Sequence, residues 1–231
     1  MPRSTTMPQY LQISELLIRE ILSGRLVVGE RLAPERELAV EYNVAVGTLR
    51  KALADLTNKG FLERRQGSGN YVRQGDASAA IYSFFRLELK TGGGWPTADV
   101  LSVEKLEKPK DLPRFGTGEK GHRIRRLRKL DGQVIALEEI WLDERYKASI
   151  KAEELTDSLY QYYKEDLGLW IVKAEDQVSY AKMPDWGAQH LVPGQTCGFV
   201  ERISWAQDGS TAEASWTWFD GNRARYVARL R

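Results

Sequence analysis

Arg126, Arg128 and Glu138 are placed to do chemistry together, because alternate positions across a strand hairpin share one face. Paired guanidiniums clamp phosphate or carboxylate, and a glutamate beside them accepts from hydroxyls or amines. A solvated face of cross-strand ion pairs would use the same residue types, so spacing alone leaves both readings open. Loop length decides whether the three meet. A loop of Leu130, Asp131 and Gly132 pairs Arg128 with Val134 and Arg126 with Ala136, and puts Glu138 on their face. A two-residue loop places Glu138 opposite. The three-residue loop is expected, since glycine in the third position marks a common bulged turn.

A second loaded stretch runs from Arg31 to Val72. Val46, Leu49, Leu53 and Leu56 form the inner row of a helix, which leaves Gly47, Thr48, Arg50 and Lys51 facing outward near its N-terminal end. Glycine there admits a close backbone approach. Threonine can donate to a phosphate or touch a thymine methyl, and arginine can bind guanine bidentately. The stretch FLERRQGSGNYV then reads as strand, turn, strand, with Arg65, Gly67 and Ser68 at a tip rich in free N–H groups. Two short helices followed by such a hairpin make a winged helix-turn-helix, a DNA-reading device.

Other chemistries find little footing. Cys197 is the single cysteine, so no intrachain disulfide can form, and a small buried core role is expected for it. His122 and His190 stand far apart and show no zinc or haem spacing. The Gly92–Gly94 cluster lacks the ending of a nucleotide P-loop. No nucleophile–base pair stands out, and neither metal nor cofactor is expected.

Composition agrees with a soluble, folded chain: 231 residues, 42% hydrophobic, 29% charged, net charge +2. No apolar run approaches the ~20 residues of a membrane span, and the N-terminus lacks a signal-peptide core, so a cytoplasmic location is expected. Residues 1–75 hold 11 Lys and Arg against 8 Asp and Glu, a net +3; the remainder holds 23 against 24. A mildly basic head on a neutral body fits DNA binding only together with the motif.

The elements that must position these residues follow from periodicity. A helix with one broad apolar face (Ile13, Leu17, Ile21) precedes ERELAVEY, whose Leu38 and Ala39 point inward, and Asn43 can end that second helix. Residues 73–80 are small and polar, as a linker is. The tail reads as strands over 97–108, 123–130, 134–141, 170–181, 197–206, 210–219 and 225–230, with helices over 155–167 and 184–191. The fold class is α+β: a winged helix-turn-helix over 1–73, a linker over 74–80, and an antiparallel-sheet domain over 81–231. Trp141, Trp205, Trp216 and Trp218 crowd the tail. Trp216 and Trp218 share one side of a strand, as ligand stackers or, the favoured reading, as core or dimer contacts.

The head resembles the DNA-binding domain of the GntR family of bacterial regulators through PQYLQI, ILSGRL, GERL, ERELA, TLRKAL and GFLERRQGSGNYV. That resemblance implies DNA contacts from Arg36, Thr48, Arg50 and Gly67. One common family pattern opens the third helix with Ser-Arg-Thr, whereas this chain has Ala45-Val46-Gly47, which implies a different operator preference. Residues 78–231 resemble the UTRA effector domain of the HutC subgroup, of chorismate lyase-like fold, through Ser83-Phe84, RIRRLRKLDGQVIALE, SLYQYY and AEASWTWFDGNRARY. The resemblance implies an effector pocket of Ser83, Phe84, Arg126, Arg128, Glu138, Ser158, Tyr160, Glu213, Ser215 and Phe219. The expected function is a homodimeric, ligand-responsive regulator, a repressor on double-stranded operator DNA. Its effector would be a sugar phosphate or a carboxylated metabolite. The alternative is a chorismate lyase-like activity in the tail, which fold kinship alone does not establish.

Overall fold

The computed structural model describes residues 7–75 and 82–229. These fall into two compact units divided between Arg86 and Leu87, with the stretch from Val227 joining the first. The expected linker over 74–80 lies largely outside the described residues, as does the end of the last expected strand.

The first unit holds α1 (Gln9–Leu22), α2 (Glu35–Glu41), α3 (Val46–Asn58), β1 (Leu62–Arg65) and β2 (Gly69–Val72). Ile13, Leu17, Ile18 and Ile21 of α1 meet Leu49, Ala52, Leu53 and Leu56 of α3 in one core, closed by Phe61 and Val72. Helical spacing makes these rows, and burying them stabilises helices too short to persist alone. Two polar links pin the pair: Ser14 Oγ donates to Asp55 at 2.5 Å, and Lys59 Nζ meets the buried Glu15 at 2.9 Å. Asn43 takes a left-handed conformation (φ 49°) between α2 and α3, where asparagine is tolerated. Arg31 adds an isolated bridge to Tyr71 beside the hairpin.

The second unit is built on a six-stranded antiparallel sheet. Its strands are β4 (Pro96–Glu107), β5 (Lys120–Leu130), β6 (Gln133–Asp143), β7 (Ile171–Lys182), β8 (Thr196–Ala206) and β9 (Thr211–Phe219). Their order is β4-β5-β6-β9-β8-β7. A short pair, β3 (Leu87–Leu89) with β10 (Ala224–Tyr226), joins the start and end of this unit. The expected helix over 155–167 is shorter: α4 spans Leu159–Leu167, capped by Ser158 at its start and by Gly168 at its end. The expected helix over 184–191 contracts to one 3-10 turn, Asp185–Gly187.

The β5–β6 hairpin corrects the expected register. Its turn has two residues, Asp131 and Gly132, both left-handed (φ 48° and 77°), with Leu130 opposite Gln133. That is the turn geometry that matches strand twist. Ile135 then bulges out of register, so that Arg128 faces Ala136 and Arg126 faces Glu138 itself. The extra residue restores the parity that the short turn would have reversed. Asp131→Ala is expected to cost about 1–2 kcal/mol, since alanine resists the left-handed region, and Trp95 would lose the carboxylate its N–H donates to at 2.7 Å. Thermal denaturation reads this loss.

Candidate nucleic-acid interface and effector site

On the first unit, α3 begins at Val46 after Ala45, and its first turn carries Gly47 and Thr48. A side chain at Gly47 would meet nothing within 4 Å, so the chain itself does not require glycine there. Open space and missing bulk suit a close external surface. Arg36, Lys51 and Arg64 are exposed and form no ion pair among the described residues. Arg50 is held by Glu35 of α2, with Nε to Oε2 at 2.6 Å, and still leaves most of its side chain in solvent. The wing is fixed from within. The Arg65 guanidinium lies 4.1 Å over the Tyr71 ring, and Ser68 Oγ shares a hydrogen bond of 2.7 Å with the Tyr71 hydroxyl. Gly67 takes φ 71° at the tip. All eight residues expected to contact DNA therefore lie on α2, the first turns of α3, or the wing. Sequence reasoning missed Arg31, whose guanidinium lies beside Gly69. A cation five residues ahead of Arg36 gives no periodic signal.

Arg50→Ala is expected to weaken specific duplex binding by about 1–3 kcal/mol, the worth of a good bidentate base contact. A fluorescence-anisotropy titration reads it, and an equal loss on scrambled DNA would reassign Arg50 to phosphate.

On the second unit, one sheet face carries two buried polar clusters. In the first, Arg126 donates from Nε and Nη2 to Glu138 Oε2 at 3.0 and 2.7 Å. Arg128 donates from Nε to Oε1 at 3.0 Å and from Nη2 to Oε2 at 3.1 Å. Both Nη1 groups point at the Asp157 carbonyl, at 3.4 and 3.3 Å, just before α4. All three side chains are buried. Burial pushes the Glu138 carboxyl up, and the Arg128 and Arg126 guanidiniums overcome it and hold it at about 2.

The second cluster surrounds Glu213 on β9. Tyr163 donates to it at 2.7 Å, and Tyr160 and Ser204 each at 3.2 Å. Burial raises its carboxyl above the usual range, against the pull of Tyr163 and Arg202. Arg202 on β8 forks onto Asp176 of β7 at 2.5 and 2.7 Å, and the Tyr226 hydroxyl donates to the same carboxylate at 2.7 Å. Ser215 sits on β9 with Glu213, opposite Ile140 and Arg202. It is buried, and its hydroxyl has no hydrogen-bond partner among the described residues. Phe219 packs its ring over Gly198 at the end of the same strand.

Of the ten residues expected to hold an effector, eight belong to this unit: Arg126, Arg128, Glu138, Ser158, Tyr160, Glu213, Ser215 and Phe219. Ser83 and Phe84 lie in a turn of the first unit, where the Ser83 carbonyl accepts from Arg86 at 2.6 Å. Tyr163, Ser204, Arg202 and Asp176 escaped sequence reasoning. Tyr163 was findable, three residues past Tyr160 on one helix face.

The opposite sheet face takes the tryptophans. Trp216 Nε1 donates to Glu201 and Trp141 Nε1 to Glu139, both at 2.9 Å. Trp218 meets Trp186, Phe199 and Trp216 edge-on or tilted. These rings turn away from Glu138 and Glu213 and serve as packing. Cys197 packs there with Leu127, Leu137, Met183 and Leu191.

Comparison with known proteins finds relatives for both units. Residues 9–72 match the bacterial regulatory proteins of the gntR family, and residues 92–225 match the UTRA domain. The HTH-type transcriptional regulator SmoD of Agrobacterium fabrum (strain C58) is 54% identical over 98% of this chain and 97% of its own. The HTH-type transcriptional repressor NagR of Bacillus subtilis is 23% identical over 97% and 96%, and the mannosyl-D-glycerate transport/metabolism system repressor MngR of Escherichia coli 25% over 90% and 90%. The crystal structure of possible transcriptional regulator YydK from Bacillus subtilis shares the fold at a TM-score of 0.55, with 20% identity, 97% of this chain and 100% of that one covered.

Proposed function

The chain belongs to the GntR family of bacterial transcriptional regulators and carries a UTRA effector domain, a ligand-responsive regulator rather than an enzyme, and on that premise we propose that it is a cytoplasmic, homodimeric repressor of a metabolic operon, released from or retuned on its operator by a small anionic metabolite. Arg36, Arg50, Lys51 and the wing would neutralise phosphates and read base edges, while Gly47 and Thr48 let α3 enter the groove.

One observation carries the effector class: two buried guanidiniums share a single carboxylate on a face that also offers the unpartnered Ser215 hydroxyl and Glu213. The arginines suit an anionic group, and the carboxylate and hydroxyls suit the hydroxyls of a sugar phosphate or a carboxylated metabolite. The names of two similar proteins, NagR and MngR, support the repressor reading, and the second, a mannosyl-D-glycerate transport/metabolism system repressor, is in keeping with a carboxylated sugar as effector. Effector can act only through its differential affinity for the DNA-competent state.

The test is a titration of the purified protein against its own upstream DNA at two salt concentrations, with a scrambled duplex beside it. Preference for the native duplex, weakening as salt rises, is the expected result. Release is then screened with sugar phosphates and carboxylated sugars. Equal binding to both duplexes would remove the operator assignment, and release by uncharged sugars alone would remove the effector class.

A further inference from the structure

The six-stranded sheet ends in two edges of different construction. β4 is defended: it opens with Pro96, which has no N–H to offer, and its register breaks between Val100 and Ser102. The Ala98 N–H is taken by the Asp157 carboxylate at 3.0 Å, and Asp99 and Glu104 form ion pairs with Lys129 and Arg123. Such devices stop an edge from recruiting another strand. β7 is less defended: its register shift falls at its start, between Ile171 and Lys173, and its charged residues leave Gln177 to Ala181 as an uncharged run. It runs for twelve residues without proline, and from Lys173 to Lys182 it pairs with β8 in unbroken register. Its outer surface shows Val172, Val178 and Tyr180, the last 81% exposed.

We propose that β7 is the seam between two copies of this chain, each β7 pairing antiparallel with its twin about a two-fold axis through Ser179. The proposal rests on the homodimer reading above and says where that dimer joins. A second copy is the fitting occupant because the strand complements itself. A two-fold axis normal to the sheet keeps like faces together and sets opposite residues symmetrically about its centre. Centred on Ser179, it puts Val178 against Tyr180 and Asp176 against Lys182, each pair formed twice. Val178, Tyr180, Asp176 and Lys182 share one face, since they pair with Val200, Gly198, Arg202 and Thr196 of β8. Centring on Val178 sets Asp176 against Tyr180, and centring on Gln177 sets it against Val178; both lose the charge match. The seam joins two six-stranded sheets into one and closes both open edges. Asp176, gripped by Arg202 and Tyr226, is then shared by the seam and the network around Glu213.

Full-length Ser179→Cys, oxidised with copper–phenanthroline, tests the axis. A covalent dimer is expected, because each new thiol faces its twin. Wild type should not link, since Cys197 is buried, and neither should Gln177→Cys, whose copies would stand roughly 14 Å apart in this register. Sedimentation equilibrium of Val178→Lys/Tyr180→Lys is expected to give at least a tenfold higher dimer dissociation constant, with an unchanged near-ultraviolet circular dichroism spectrum. A wild-type dimer that survives both substitutions undiminished, with no linking at Ser179, overturns the seam and leaves the homodimer standing. Linking at Gln177 in place of Ser179 overturns the axis. A wild type that sediments as a monomer overturns the seam and the homodimer together.

Discussion

Glu138→Ala is expected to destabilise the sheet unit by about 3–5 kcal/mol, the usual cost of removing one partner from a buried ionic cluster. The loss arises from what remains. Arg126 and Arg128 are 3% and 5% exposed, so two uncompensated cations would stay in the interior with only the Asp157 carbonyl to receive them. Glu138→Gln should fall in between, since the amide keeps the shape and loses the charge. Acid imitates the substitution. A carboxyl held at about 2 in the folded chain, against its ordinary 4.5, favours folding at every pH above about 4.5. That contribution, ~3 kcal/mol, drains away as pH falls from about 4.5 toward 2. Chemical denaturation of wild type and Glu138→Gln at pH 7 and pH 3 checks the sign: wild type should lose stability over this interval, and the variant should lose less. An equal loss in both would move the acid sensitivity elsewhere.

Arg126→Ala is expected to behave differently. Glu138 retains Arg128, and the cluster becomes neutral, so folding should survive. Operator binding should stay within about twofold of wild type, because Arg126 lies in the other compact unit from α3 and the wing. The effector should suffer instead. Truncating one partner of a buried, hydrogen-bonded charge pair costs about 2–5 kcal/mol in binding, roughly 30-fold to several thousand-fold in affinity. Release of the native duplex by an effector identified on wild type, followed by anisotropy, checks both halves. A variant released at the wild-type concentration would take Arg126 out of the pocket, and one that no longer binds the duplex would refute the division of labour.

Much of this arrangement was legible in the sequence, for physical reasons that differ from place to place. The head is written in helical periods, and Leu49, Leu53 and Leu56 on one row leave little choice about which residues face outward. Of the nine elements expected in the tail, the six long strands came close because their apolar alternation is local, while the helix over 184–191 shrank to one 3-10 turn and the last strand to Ala224–Tyr226. The face shared by Arg126, Arg128 and Glu138 was reached through a wrong register: the turn has two residues, and the bulge at Ile135 corrects the parity. A bulge leaves no local mark, because its cause is partly tertiary. The Ile135 carbonyl accepts from the Asp220 N–H at 2.9 Å, eighty-odd residues on. The Glu213 cluster was half visible. Tyr160 and Glu213 came from family resemblance, but Asp176 and Arg202 meet only because β7 lies beside β8 in one particular register.

The tryptophans have a practical meaning. All seven (Trp95, Trp141, Trp170, Trp186, Trp205, Trp216 and Trp218) belong to the sheet unit, and the head has none. Indole emission is therefore a private channel of the effector half. Melting followed at tryptophan wavelengths reports the sheet alone, and the winged head could unfold unseen beside it. Events at α3 and the wing have to be followed through the duplex, by a label on the DNA.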